Sequence, residues 1–161
     1  MRVVVLSDTH VRSGGRKVVP AGAFEHLRAA DAILHAGDVL EQWFLDELAE
    51  LAPVHAVLGN NDAGLDLPER LEVELAGVHV GMVHDSGART GREARLSRWF
   101  PACGLVVFGH SHVPLATRGL HGQRLLNPGS PTDRRTQPHH TLALVDLADG
   151  RIEHSQIIEL D

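Results

Sequence analysis

The chain has 161 residues, a net charge of −6, 43% apolar and 22% charged residues, a profile of one globular domain over 1–161 with no room for a separate regulatory domain. No apolar run approaches the roughly 20 residues of a membrane helix, and the acidic balance argues against tight non-specific binding of long nucleic acid, whose affinity comes from Lys and Arg neutralising phosphates. Cys103 is the only cysteine and Met1 to Leu6 lacks the basic flank of a signal peptide, so a cytoplasmic protein without a disulfide framework is expected.

Met1 to Ser7, Asp31 to Ala36, Pro53 to Leu58 and Leu105 to Phe108 are short, nearly continuous apolar runs, the pattern of strands buried on both faces. Helical spacing separates the first three, through Phe24, Leu27 and Arg28 and then from about Glu41 to Glu50. Strand, helix, strand, helix, strand implies a parallel core sheet. Leu71, Val73 and Leu75 alternate with Glu72 and Glu74 and predict a half-exposed strand, with Val78 to Val83 as its hairpin partner. A third helix is expected after Thr90, with Glu93 completing a capping box, Leu96 and Trp99 on its apolar face and Pro101 ending it. The rest reads as strands at Pro114 to Arg118, Gln123 to Leu126, Thr141 to Leu147 and Arg151 to Ile157, with Pro128 to His140 as a polar surface loop and the whole forming two sheets.

Histidine is over-represented, at twelve residues beside no tyrosine, and it is the commonest metal ligand. Asp8 and His10 follow the first strand, Asp38 the second and Asn60 the third, while His84 ends the Val78 to Val83 strand and His110 and His112 follow Leu105 to Phe108. In open α/β sheets the carboxyl ends of parallel strands are where sites form, so these donors are placed to converge. Residues two apart in extended chain point the same way, which lets Asp8 with His10, and His110 with His112, aim at one cavity. Two carboxylates, four imidazoles and one amide exceed what one tetrahedral zinc takes, and suit two ions sharing Asp38. Nitrogen and oxygen donors without thiolate favour manganese, iron, zinc, nickel or cobalt over calcium, with no choice among the five; two divalent transition-metal ions are expected.

Ser7-Asp8-Thr9-His10, Gly37-Asp38, Gly59-Asn60-Asn61-Asp62, Val83-His84 and Gly109-His110-Ser111-His112, in that order, resemble the signature of calcineurin-like metallophosphoesterases. Asn127-Pro128-Gly129-Ser130 and the compact length resemble their small prokaryotic phosphodiesterase branch, the YfcE type. The resemblance implies a four-layer αββα sandwich of two mixed sheets between helices. It also implies one metal on Asp8, His10, Asp38 and His112 and a second on Asp38, Asn60, His84 and His110. Asp38, Asn60 and His84 are then the catalytic centre, and a small phosphate ester is hydrolysed by in-line attack of a metal-bridging hydroxide.

Two positions depart from that pattern. Many superfamily members carry histidine after the ligand asparagine, where it can protonate the leaving group; here Asn61 stands there, and an amide delivers no proton at neutral pH. Substrates with a more acidic leaving alcohol are therefore expected. Asp85 replaces the branch's usual glycine and makes the pocket wall more acidic, with Asn61, Asp85, Arg134 and Arg135 as candidate substrate contacts. His35 reads as a buried, satisfied histidine, and Cys103 as a packing residue. Val113 replaces the final glycine of a serine-hydrolase elbow around Ser111, and no Gly-x-x-x-x-Gly-Lys phosphate loop occurs. A phosphodiesterase on a small diester is the first reading, and a homo-oligomer is open. A phosphomonoesterase on a nucleotide or sugar phosphate, and a non-catalytic scaffold like the retromer subunit of this fold, are the alternatives.

Overall fold

In a computed structural model describing residues 1–160, the chain forms two five-stranded sheets packed face to face. The first sheet uses β1 (Arg2–Leu6), β2 (Ala32–His35), β3 (Val54–Ala56), β9 (Thr141–Ala148) and β10 (Arg151–Glu159) in the order β10-β9-β1-β2-β3. β1, β2 and β3 are parallel, and β9 and β10 add antiparallel at the other edge. The second holds β4 (Arg70–Leu75), β5 (Val78–Val83), β6 (Leu105–Val107), β7 (Leu115–Arg118) and β8 (Arg124–Asn127) in the order β4-β5-β6-β8-β7. Its middle strands β5, β6 and β8 are parallel, with antiparallel partners outside.

Strand alternation explains why the runs look uniformly apolar. Val3 and Val5 of β1 point into the space between the sheets, where Val80, Met82, Leu105 and Val107 meet them. Val4 and Leu6 point the opposite way, onto α1 (Ala21–Arg28) and α2 (Gln42–Ala49) through Ala23, Leu27, Phe44 and Leu48. On the far side, α3 (Arg92–Trp99) lays Leu96 against Val106, Phe108 and Leu125. Both faces of each central strand are thus covered, which is what makes period-2 polar residues unnecessary there. The layers run helices, sheet, sheet, helix, the four-layer sandwich that the family resemblance implies.

Two local expectations are corrected. Thr90 and Glu93 do not form a capping box: the residue before α3 is Gly91, at φ 73°, and among the described residues no side chain caps the helix. Glycine's freedom at positive φ sets the entry there, so the helix starts a residue later than the motif requires. The segment after Asn127 is not a surface loop throughout. Pro128 to Pro131 are buried, because Ser130 Oγ reaches the Asp8 carbonyl at 2.8 Å and Thr132 Oγ1 donates to the Thr9 carbonyl. Its exposed residues are Arg134, Arg135, Thr136 and Pro138.

Candidate metal centre

The parallel strands of both sheets end at one rim of the sandwich, and the chain turns sharply there. Asp8, His10, Asp38, His110 and His112 all sit at positive φ, between 47° and 67°, a backbone region costing an ordinary residue of the order of 1–3 kcal/mol. Specific bonds hold these turns. The Asp8 and His10 amides donate to the carbonyls of Gly37 and Asp38 at 2.9 and 3.0 Å, and the His110 amide donates to Asp8 Oδ2 at 3.0 Å.

Asp38 occupies the middle. Its Oδ2 lies 3.5 Å from His10 Nε2 and 3.5 Å from His84 Nε2. On one side, a donor atom from each of Asp8, His10 and His112 lies within 4.8 Å of the others; on the other, so do donors of Asp8, Asp38 and His84. Asn60 Oδ1 completes the second side at 3.0 Å from both His84 Nε2 and His110 Nδ1. All seven sequence-selected donors are therefore brought to one rim.

Three observations fit divalent cations. Asp8 Oδ1 is buried without a hydrogen-bond partner among the described residues, although His112 Nε2 stands 3.3 Å away; an uncompensated buried carboxylate oxygen costs several kcal/mol unless a cation meets it. His10 Nε2 and His112 Nε2 face each other at 3.4 Å, about the separation of two nitrogen ligands on one tetrahedral ion. Finally, His84 Nδ1 contacts the Ala36 carbonyl at 2.7 Å and His112 Nδ1 the Asp133 carbonyl at 2.5 Å. The donating N–H must be there, which leaves Nε2 as the free lone pair in both rings, as metal-binding histidines require.

The electrostatics point the same way. Burial raises the Asp8 carboxyl above its usual range, against the opposing Ser7 hydrogen bond. Burial would also raise Asp38, but the neighbouring His84 ring, when protonated, and the two hydrogen bonds from Asn61 outweigh it and hold Asp38 ionised far into acid. Burial lowers His10 and keeps it neutral. His84 is pushed down by burial and more strongly up by Asp38 and Asp8, so its net shift is upward. A proton and a cation compete for that imidazole, and ion binding therefore weakens as pH falls.

Residues with no assigned role in the sequence reading hold this constellation. Asp62 is fully buried and accepts from the amides of Asp38, Leu40 and Gly59 at 2.8–2.9 Å. Ser7 Oγ donates to Asp8 Oδ2 at 2.6 Å, and Asn127 Nδ2 to the Gly109 carbonyl at 2.9 Å. The motif glycines are steric necessities: a Cβ on Gly109 would overlap Ser7 Oγ and stand 2.7 Å from Asp8 Oδ2, and one on Gly59 would overlap Asp38. Small and acidic residues flanking the donors were the available signal, but their burial was not readable.

Of the candidate substrate contacts, Asn61 turns inward, with its backbone N and side-chain Nδ2 donating to the two Asp38 oxygens at 2.8 and 2.7 Å. Asp85 is exposed and caps its own turn through Gly87 N at 2.7 Å. Arg134 and Arg135 are exposed, with the Arg134 guanidinium on the Gln137 carbonyl at 2.5 Å. Lys17, paired with Asp133 at 2.5 Å, is close enough to His10 to act on its charge. His35 is fully buried outside the donor set, its Nε2 on Thr9 Oγ1 at 3.0 Å but its Nδ1 without a partner among the described residues, so it is only half satisfied, and its pKa falls to about 3 because burial disfavours the charged ring. Cys103 is buried and packs in the third core cluster.

Residues 1–150 match the calcineurin-like phosphoesterase superfamily domain. The chain belongs to that superfamily. A probable metallophosphoesterase of Methanothermobacter thermautotrophicus is 35% identical over 151 residues, covering 91% of this chain and 87% of that one. Another, from Methanocaldococcus jannaschii, is 35% identical over 135 residues, covering 82% and 69%. Among solved structures, a predicted phosphoesterase of Streptococcus pneumoniae superposes with TM-score 0.76 at 25% identity, over 98% of this chain and 88% of that one. Vps29 of Entamoeba histolytica superposes with TM-score 0.79 at 23% identity over the whole of both chains, a likeness of fold.

Proposed function

We propose that this metallophosphoesterase is a dinuclear phosphodiesterase acting on a small phosphate diester. The observation that carries the reading is Asp38 Oδ2, equidistant at 3.5 Å from one imidazole of each donor cluster, the position of a carboxylate shared by two ions. Asp8, His10, Asp38 and His112 would hold one ion and Asp38, Asn60, His84 and His110 the other. Manganese fits this oxygen- and nitrogen-rich set, as do iron, zinc, nickel and cobalt. When bound, the pair supplies Lewis-acid charge that activates water and stabilises negative charge on the phosphoryl group.

The chain's own residues do the rest. Asp62 and the turn bonds fix the carboxylates before substrate arrives, so no reorganisation is needed when charge develops. Hydrolysis joins a water oxygen to phosphorus and breaks the ester P–O bond, and the departing oxygen must take a proton or be stable without one. Asn61 offers none and is engaged with Asp38, which favours esters of acidic alcohols. The test is hydrolysis of bis(p-nitrophenyl) phosphate and of p-nitrophenyl phosphate by metal-stripped protein with added manganese. Manganese-dependent cleavage of the diester above the monoester, lost in Asp38→Asn and His84→Ala, is expected. A faster monoester rate would favour a phosphomonoesterase.

The likeness of fold to Vps29 supports a second reading, a protein-binding scaffold. A folded protein inactive on both esters with every transition metal tried would put that reading first.

A further inference from the structure

Beside Asn60 and His84 the rim opens into a cavity of about 510 Å³ that is also lined by Arg70, Trp99, Glu69 and Asp85. The strand register builds it: Arg70 pairs across the β4–β5 hairpin with Val83, the residue before His84, so β4 brings Arg70 into the wall of the cavity that His84 shares. Trp99, at the end of α3, lies under it, with the Arg70 Cζ 3.9 Å from the ring centroid. The size is that of small-molecule sites generally. Its charge is unlike that of a phosphate subsite, since two carboxylates oppose one guanidinium, and that guanidinium is engaged with an indole face. An additional phosphate would be repelled here, whereas a neutral ring would meet a planar cation fixed in place.

We propose that this cavity receives the flat, uncharged aryl or heteroaryl substituent that stays on phosphorus after the leaving group departs, such as a nucleoside carried by its base, stacked against the Arg70 guanidinium that Trp99 holds. The assignment rests on the phosphodiesterase reading for the chemistry, and names the class of diester. The organic group stays intact and only the ester bond at phosphorus breaks. Arg presents a delocalised plane that stacks on rings, which the point charge of Lys cannot do. Arg70 and Trp99 are thus specificity residues for that substituent.

The test begins with binding, independent of turnover. Trp43→Phe leaves Trp99 as the sole tryptophan of the two in the sequence, and the zinc-loaded protein is titrated with phenylphosphonate and methylphosphonate, whose C–P bonds are not hydrolysed. Phenylphosphonate is expected to quench Trp99 saturably, methylphosphonate not, and Arg70→Ala and Arg70→Lys each to weaken phenylphosphonate about tenfold. No quenching, or unchanged affinity in Arg70→Lys, would overturn the proposal.

The second arm compares bis(p-nitrophenyl) phosphate with methyl p-nitrophenyl phosphate, which share a leaving group. In Trp99→Leu and Arg70→Ala the KM of the first is expected to rise about tenfold and that of the second to stay within twofold, which also reports intact folding. Equal effects on both esters would count against the cavity. If no ester is cleaved while the Arg70-dependent quenching persists, the cavity stands and the phosphodiesterase reading fails.

Discussion

Asp38 and His10 on the first sheet are held by turns of that sheet, whereas His84 and His112 on the second lean across the sandwich. Asp38 is bounded by Asp62 and Asn61, within 24 residues of it in sequence, and the Asp8 and His10 turns bond to the adjacent β2 loop. By contrast His84, at the end of a second-sheet strand, is oriented by the Ala36 carbonyl of the first sheet. His112 is oriented by Asp133 in the loop leading back to β9. The lesson is a division of labour. The first sheet fixes where negative charge sits, and the packing of the two sheets fixes where the imidazole lone pairs point.

Breaking the acidic half should have the largest effect. Asp38→Asn removes the shared carboxylate, and the expected loss is at least about 10³-fold in kcat/KM, or ~4 kcal/mol. The stabilisation by zinc or manganese in thermal melts should be lost with it. Steric disruption where the halves meet comes next. Gly109→Ala sets a methyl against Ser7 and Asp8, and urea unfolding is expected to show a loss of about 3 kcal/mol, in the range of overpacked cores.

Loosening the acidic half without removing a donor should cost less. Asp62→Asn leaves all seven donors in place but spoils acceptance from the three amides, and metal affinity by calorimetry should fall about 10–100-fold. The smallest effect tests His35, behind the first-sheet turns. Its folded pKa of about 3 lies below the ordinary 6.5, so the unfolded chain binds the extra proton between those values and stability falls as pH drops below 6.5. The slope is about 1.4 kcal/mol per unit, or about 2 kcal/mol by pH 5. Denaturant melts of chelator-treated protein at pH 7 and 5 should show that loss, and His35→Leu should flatten it.

Much of the site was legible because donors at strand ends are a local property: a short apolar run followed at once by Asp, His or Asn announces both the strand and the position at its end. The parallel order, the β4–β5 hairpin and the β9–β10 turn followed from period and punctuation in the same way. The Thr90 cap failed because a left-handed Gly91 takes the entry position, and sequence spacing alone does not reveal φ. Asp62 escaped notice because a carboxylate in a turn ordinarily faces water; only its burial under three amides makes it structural.

The sequence by itself determined the family signature, the two-sheet architecture and the set of donors, because these rest on backbone periodicity and on residue types at strand ends. The tertiary structure decided that Asp38 lies between two imidazole clusters, that His84 and His112 present Nε2, and that Arg70 and Trp99 close a cavity beside them. Those depend on how two sheets about 10 Å apart face one another, and a distance between residues remote in the chain is written in no local pattern.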